Sequence, residues 1–261
     1  MIVYPKAKIN IGLRIIEKRA DGFHNLETFF INAGTTDILE VTESDRVKMN
    51  QYGIELDSAP GKNLCVKAYE VMRREFDIPP VEINLFKQIP FGAGLGGGSS
   101  DAAGTMIAIN RLFSLGLDKE KLASMAAAVG SDCPFFIYSS DLDSSRGEGM
   151  IGTGRGELLE PFTAGALEGL EIRIEKPPVH VSTAEAYAGI VPALPANNLR
   201  ELLSQPVETW RETIVNDFEG HIFEKYPQIR EYKEMMYSQG ALYASMSGSG
   251  SAVFGIFRAA R

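Results

Sequence analysis

The sequence predicts an α/β protein of the α+β type, rich in antiparallel strands. Alternating apolar and polar residues mark strands near both ends of the chain and in its middle. Capped apolar helices lie between them. A glycine-rich run, Pro90 to Asp101, joins one such strand to one such helix. At 261 residues the chain suffices for one large domain or two of ordinary size.

Taken in order, Ile9, Ile11, Leu13 and Ile15 alternate with Lys8, Asn10, Gly12 and Arg14, a strand with one buried face. Lys8 and Asn10 share its opposite face, about 7 Å apart at strand rise. Asp21-Gly22 forms a turn returning into a second strand, Leu26 to Ala33, and residues 37–50 supply two more. Asn63 caps a helix with Leu64, Ala68, Val71 and Met72 on one face. Val81, Ile83 and Leu85 then alternate with Glu82, Asn84 and Phe86. After the glycine run a helix is expected with Ser99 or Ser100 as N-cap and Gly116 closing it. Asp118 caps the next, which Gly130 ends. Pro134 is expected to force an extended predecessor, leaving Asp132 in a tight corner before an apolar strand, Phe135–Tyr138. Gly147–Gly156 is the candidate boundary between domains 1–156 and 157–261. Beyond it come a strand, Leu170–Glu175, a helix opened by the capping box Ser182–Glu185, and a helical stretch from Asn216. Two last strands flank the Gly/Ser turn Met246–Ser251.

Five of the seven residues from Gly92 to Gly98 are glycine. Such a run exposes backbone N–H groups and tolerates positive φ. Feeding a helix N-terminus, it makes an anion site, with phosphate the expected anion. A Walker loop would need Lys and then Ser or Thr after the last glycine, where this chain has Ser99. Gly92, Gly94 and Gly97 satisfy a dinucleotide fingerprint, but the half-polar strand before them does not suit a strand covered on both faces.

Twenty-six basic against 34 acidic residues give a net charge of −8, which argues against a nucleic-acid surface and for local phosphate binding. Cys65 and Cys133 lack metal or redox spacing and read as small buried residues of a reducing compartment. With no signal-peptide core and no apolar run of membrane length, a cytoplasmic protein without membrane contact is expected.

Pro5–Asn10, the loop Pro90–Ala103 and Ser245–Gly255 resemble the three signature motifs of the GHMP kinases, a superfamily of small-molecule kinases. Arg19–His24, Gly130–Pro134, Gly154–Glu157 and Val181–Tyr187 resemble, within it, the branch acting on 4-diphosphocytidyl-2-C-methyl-D-erythritol in the non-mevalonate isoprenoid pathway. The resemblance implies a two-domain fold, with an N-terminal domain like domain 2 of ribosomal protein S5 and a ferredoxin-like C-terminal domain. It implies ATP and Mg²⁺, and a monomer or homodimer.

It also implies roles for residues whose local sequence alone favours plainer ones. Asp132, otherwise a turn former, becomes the general base; Lys8, otherwise a solvated lysine, becomes the catalytic cation; Asn10 orients the substrate hydroxyl. His24 bonds the cytosine edge and Tyr187 stacks on its face, with Phe23 and Thr183 beside them; Phe23 stands where the family often has Tyr. Asn63 and Lys87 fall at adenosine contacts. Pro90, Phe91, Gly92, Ala93, Gly94, Leu95, Gly96, Gly97, Gly98, Ser99 and Ser100 form the ATP loop. Ser100 is the candidate Mg²⁺ ligand. Two alternatives stay open: another GHMP kinase, of homoserine or mevalonate type, and a silent nucleotide-binding sensor.

Overall fold

The computed structural model describes residues 1–54 and 63–259. By internal contacts the chain forms two compact units. The first comprises Met1–Ala7, Thr35–Phe91 and Gly96–Asp141; the second comprises Lys8–Gly34, Gly92–Leu95 and Leu142–Arg261.

In the first unit, β1 (Ile2–Val3), β4 (Ile38–Glu43), β6 (Val81–Lys87) and β5 (Lys48–Gly53) form one sheet in that order. Only β5–β6 is parallel among these pairings. β6 alternates as expected, with Val81, Ile83 and Leu85 buried. Helix α1 (Leu64–Glu75) is capped by Asn63, whose side chain accepts from the Cys65 N–H. It packs on α2 (Gly97–Leu112), which lies against β4. The Asp118 cap of α3 (Lys119–Ala127) is also as expected.

Two local expectations are corrected here. Neither Ser99 nor Ser100 caps α2; the cap residue is Gly96, left-handed at φ 68°, and it offers no side-chain acceptor. Residues Phe135–Tyr138 are not a strand but part of helix α4 (Cys133–Tyr138), with Asp132 as its N-cap residue. Proline disfavours a helical predecessor, but in a first turn its missing N–H costs nothing and its φ is already helical. The run Cys133–Ile137 is buried, as either element would be.

In the second unit, β2 (Lys6–Lys18), β3 (His24–Thr36), β7 (Glu148–Thr153) and β8 (Leu158–Thr163) form a sheet in that order, and β10 (Tyr243–Met246), β11 (Val253–Arg258) and β9 (Leu170–Glu175) a second. The β2–β3 turn closes by Arg19 N–H to the Phe23 carbonyl, with Gly22 at φ 85°. Strand β2 departs from the expected single buried face: Lys8, Asn10 and Arg14 are buried too. The segment after residue 196 covers that face. Leu199 and Ile214 press on Gly12, and Arg14 donates to the Asn197 carbonyl at 2.6 Å.

Helices α5 (Thr183–Ala188), α6 (Leu199–Leu203), α7 (Trp210–Thr213), α8 (Glu219–Lys225) and α9 (Pro227–Ser238) complete this unit. Sequence spacing does not mark α6, α7, α9 or β8; α9 buries only Ile229 and Met236. Leu13, Ile15, Phe218, Ile222, Met246 and Phe257 belong to one core cluster. Among the described residues no helix is long and apolar enough to cross a membrane.

Asn216 joins these parts. Its amide donates to the Met246 and Gly248 carbonyls, both at 2.8 Å, and its side-chain oxygen accepts from Phe218 N–H. Asn216→Ala would strand three buried polar groups, so a loss of about 1–3 kcal/mol is expected. Urea unfolding would read this as a lowered midpoint at unchanged slope; an unchanged midpoint would refute it.

Candidate active site

The second unit brings together parts of the three segments on which the kinase resemblance rests: Lys8–Asn10, Gly92–Leu95 and Ser245–Gly255. Lys8 N–H donates to the Leu95 carbonyl at 2.9 Å, and Ala252 N–H to the Ala93 carbonyl at 3.1 Å. The Ser247 hydroxyl donates to the Gly94 carbonyl at 2.9 Å. The approach is close enough that a Cβ on Gly94 would fall 1.9 Å from the Ser247 carbonyl oxygen. Gly92 and Gly94 take φ of 55° and 76°, so this half of the loop depends on glycine both for conformation and for space.

Beside it, the Lys8 ammonium donates to Asn10 Oδ1 at 2.6 Å, and Asn10 Nδ2 donates to Thr28 Oγ1 at 3.2 Å. The relay fixes which way the Asn10 amide points. Phe30 lies under the same ammonium, 5.3 Å from ring centroid to Nζ. Thr28 is a participant the sequence reading missed, because its contact with Asn10 depends on how two strands pair.

His24 and Tyr187 also meet, as a stacked pair with centroids 4.9 Å apart and planes 25° from parallel. Phe218 meets Tyr187 in an edge-on contact at 4.9 Å. A base does not fit between His24 and Tyr187 in this arrangement, since each stacked pair alone takes about 4.5 Å or more. Thr183 opens the short helix that carries Tyr187, and Ser182 caps it by accepting from Glu185 N–H. The capping box is not reciprocal: the Glu185 carboxylate binds Lys225 and Tyr226 instead. Phe23 is 55% exposed, with the Arg155 guanidinium over its ring at 4.9 Å.

The first unit holds the remaining candidates. Gly97, Gly98 and Ser99 form the first turn of α2, and Ser100 N–H closes onto the Gly96 carbonyl. No side chain caps this turn, so its N–H groups and the helix dipole suit an anion. Ser100 is buried. Asp132 is half-buried at the start of α4. Asn63 spends its side-chain oxygen on capping α1.

Lys87 is wholly buried, which its place at a strand end does not suggest. Its ammonium is gripped by Asp37 and lies 2.9 Å from Asp101 Oδ2. Burial pushes the Asp101 carboxyl up to about 8, against the pull of Lys87. Sequence reading missed both carboxylates. The one available signal was an acidic residue just before the small apolar run Ala102–Gly104 of a helix. Cys65 and Cys133 are buried free thiols, as expected, and burial pushes the latter up to about 11.

The chain is similar over nearly its whole length to known proteins. Residues 63–140 match the family model of the GHMP kinases N terminal domain, and residues 190–261 that of the GHMP kinases C terminal domain. The chain is 45% identical over 257 residues to the 4-diphosphocytidyl-2-C-methyl-D-erythritol kinase of Parabacteroides distasonis, covering 98% of this chain and 92% of that one. It is 46% identical to the enzyme of that name from Bacteroides thetaiotaomicron, at the same coverage. A crystal structure of 4-(cytidine 5'-diphospho)-2C-methyl-D-erythritol kinase superposes with TM-score 0.76 at 31% identity, covering 98% of this chain and 90% of the other. A mevalonate kinase structure shares the fold, at TM-score 0.64 and 15% identity. The chain thus has the two-domain GHMP kinase fold and belongs to the GHMP kinases, in the 4-diphosphocytidyl-2-C-methyl-D-erythritol kinase family.

Proposed function

We propose that this protein transfers the γ-phosphoryl group of ATP to the 2-hydroxyl of 4-diphosphocytidyl-2-C-methyl-D-erythritol. The observation that carries the reading is the three-segment junction, in which the glycine loop is hydrogen-bonded beside the Lys8–Asn10 pair. In this reading the chain divides into modules 1–156 and 157–261, and the matched family models fall on either side of that point.

Phosphoryl transfer needs a positioned γ-phosphate, an activated hydroxyl and neutralised developing charge. The uncapped first turn of α2 and the loop amides serve the first need. Asp132 takes the proton of the substrate hydroxyl as its oxygen bonds to phosphorus and ADP departs. Lys8 favours the alkoxide, and Asn10, held by Lys8 and Thr28, orients the same hydroxyl. Among the described residues no three His, Cys, Asp or Glu side chains converge into a metal cage. Ser100 is the candidate protein ligand for a Mg²⁺ carried with ATP, which would neutralise phosphate charge. At the other end of the substrate, cytosine takes the place of the His24 ring on Tyr187, and His24 turns to bond the base edge. We propose a cytoplasmic location and a monomer or homodimer.

Asp132→Asn keeps the side-chain shape but cannot accept a proton. Turnover is expected to fall about 10²–10⁴-fold, with ATP binding retained in direct titration. Turnover near that of the wild type would remove Asp132 from the chemistry.

Tyr187→Ala removes the stacking platform and is expected to raise the dissociation constant of the cytidine substrate about tenfold to a hundredfold, leaving that of ATP nearly unchanged. With ATP saturating, free CMP should compete with substrate in the wild type and poorly in the variant. No competition in the wild type would leave a GHMP kinase acting on some other alcohol.

A further inference from the structure

The buried cluster of Lys87, Asp37 and Asp101 lies outside the chemistry described above. It unites three separate stretches of the first unit. Asp37, between β3 and β4, accepts from Lys87 and from the Gln88 and Ile89 N–H groups. Lys87 ends β6. Asp101 lies in the second turn of α2; its Oδ2 contacts Lys87, while its Oδ1 is buried without a hydrogen-bond partner.

The Lys87 ammonium lies directly against the start of α2. A Cβ on Gly97 would fall 2.8 Å from Nζ and 2.9 Å from the Ile89 side chain. A cation buried against the positive end of a helix opposes the dipole and loses hydration, so it persists only because the two carboxylates hold it. Thus Asp101 is drawn to Lys87, and Lys87 to Asp37, whose backbone contacts anchor the group to the chain entering the loop. With side-chain exposure of 0% and both carboxylates at its head, the ammonium has no open path to a nucleoside. A contact with adenosine, as family resemblance implies, would therefore fall to the Lys87 backbone and not to its ammonium.

Resting on the proposal that this loop binds ATP phosphates, we infer that the Lys87 side chain is a positioning group of the phosphate loop, locking the first turn of α2 through Asp101 and Asp37, and does not itself meet the adenosine. The Gly96–Ser99 amides then meet the phosphates already ordered. An adenosine contact would show in the nucleoside part of the ligand alone; a loop lock must show in the phosphate part.

Lys87→Met alone would leave two carboxylates buried without their cation and endanger folding. The test therefore uses the full chain carrying both Lys87→Met and Asp101→Asn. This pair removes one formal charge of each sign and leaves Asp37 its two backbone donors. Thermal unfolding first establishes that the variant is folded.

Three probes are titrated as competitors: ATP, inorganic tripolyphosphate and adenosine. ATP and tripolyphosphate are expected to weaken by the same factor, on the order of tenfold, as for groups that orient a binding group from behind. Adenosine affinity and the KM of the alcohol substrate should be nearly unchanged. Weakening of ATP and adenosine together, with tripolyphosphate unaffected, would overturn the inference in favour of a nucleoside contact. No change in any probe would reduce the cluster to a fold-stabilising role and also overturn it. Failure of both ATP and tripolyphosphate to bind the wild type would instead refute the phosphate-loop reading itself.

Discussion

Three consecutive carbonyls, those of Ala93, Gly94 and Leu95, are each claimed by a different donor of the second unit. The donors are Ala252 N–H, the Ser247 hydroxyl and Lys8 N–H. A glycine-rich segment pays heavily in backbone entropy when it orders. These bonds offset that cost, and they orient the loop by satisfying its carbonyls from the protein side. They also fix where Lys8 lies, because the strand that donates to the loop carries the ammonium on the same residue.

The start of α2 is organised differently, through charge. Gly96 takes a left-handed conformation and leaves the first turn uncapped, while a buried lysine and two aspartates brace that turn from beneath. A buried ion cluster is weak evidence for stability, because desolvation cancels most of the attraction. Its value here is geometric: the ammonium ties Asp37, ahead of β4, to Asp101 of α2. Removing the Cβ at Gly97 is what lets helix and cation approach so closely.

The pair His24 and Tyr187, proposed to recognise the substrate, shows how far packing can alter a residue's apparent role. His24 and Tyr187 are 163 positions apart, yet their rings stack in contact. The helix bearing Tyr187 is short and is docked through Glu185 onto Lys225 and Tyr226. In the proposed function, recognition of a base would exchange one aromatic contact for another, a balance of interactions of similar size.

The sequence by itself determined the alternating strands, the caps at Asn63, Asp118 and Ser182, the Asp21-Gly22 turn and the glycine loop with its helix. These are set by neighbours within a few residues, where spacing and capping chemistry act directly. Motif resemblance further located Lys8, Asn10, His24 and Tyr187, whose contacts within the second unit the fold supplies. Only the tertiary structure decided whether Cys133–Tyr138 is helix or strand, since a short apolar run carries no period of its own. It alone decided that both faces of β2 are buried, because the cover comes from residues nearly two hundred positions away. It also decided the partners of Lys87 and Asn10. Cross-strand register and buried charge pairing depend on the path of the whole chain, and no local pattern encodes them.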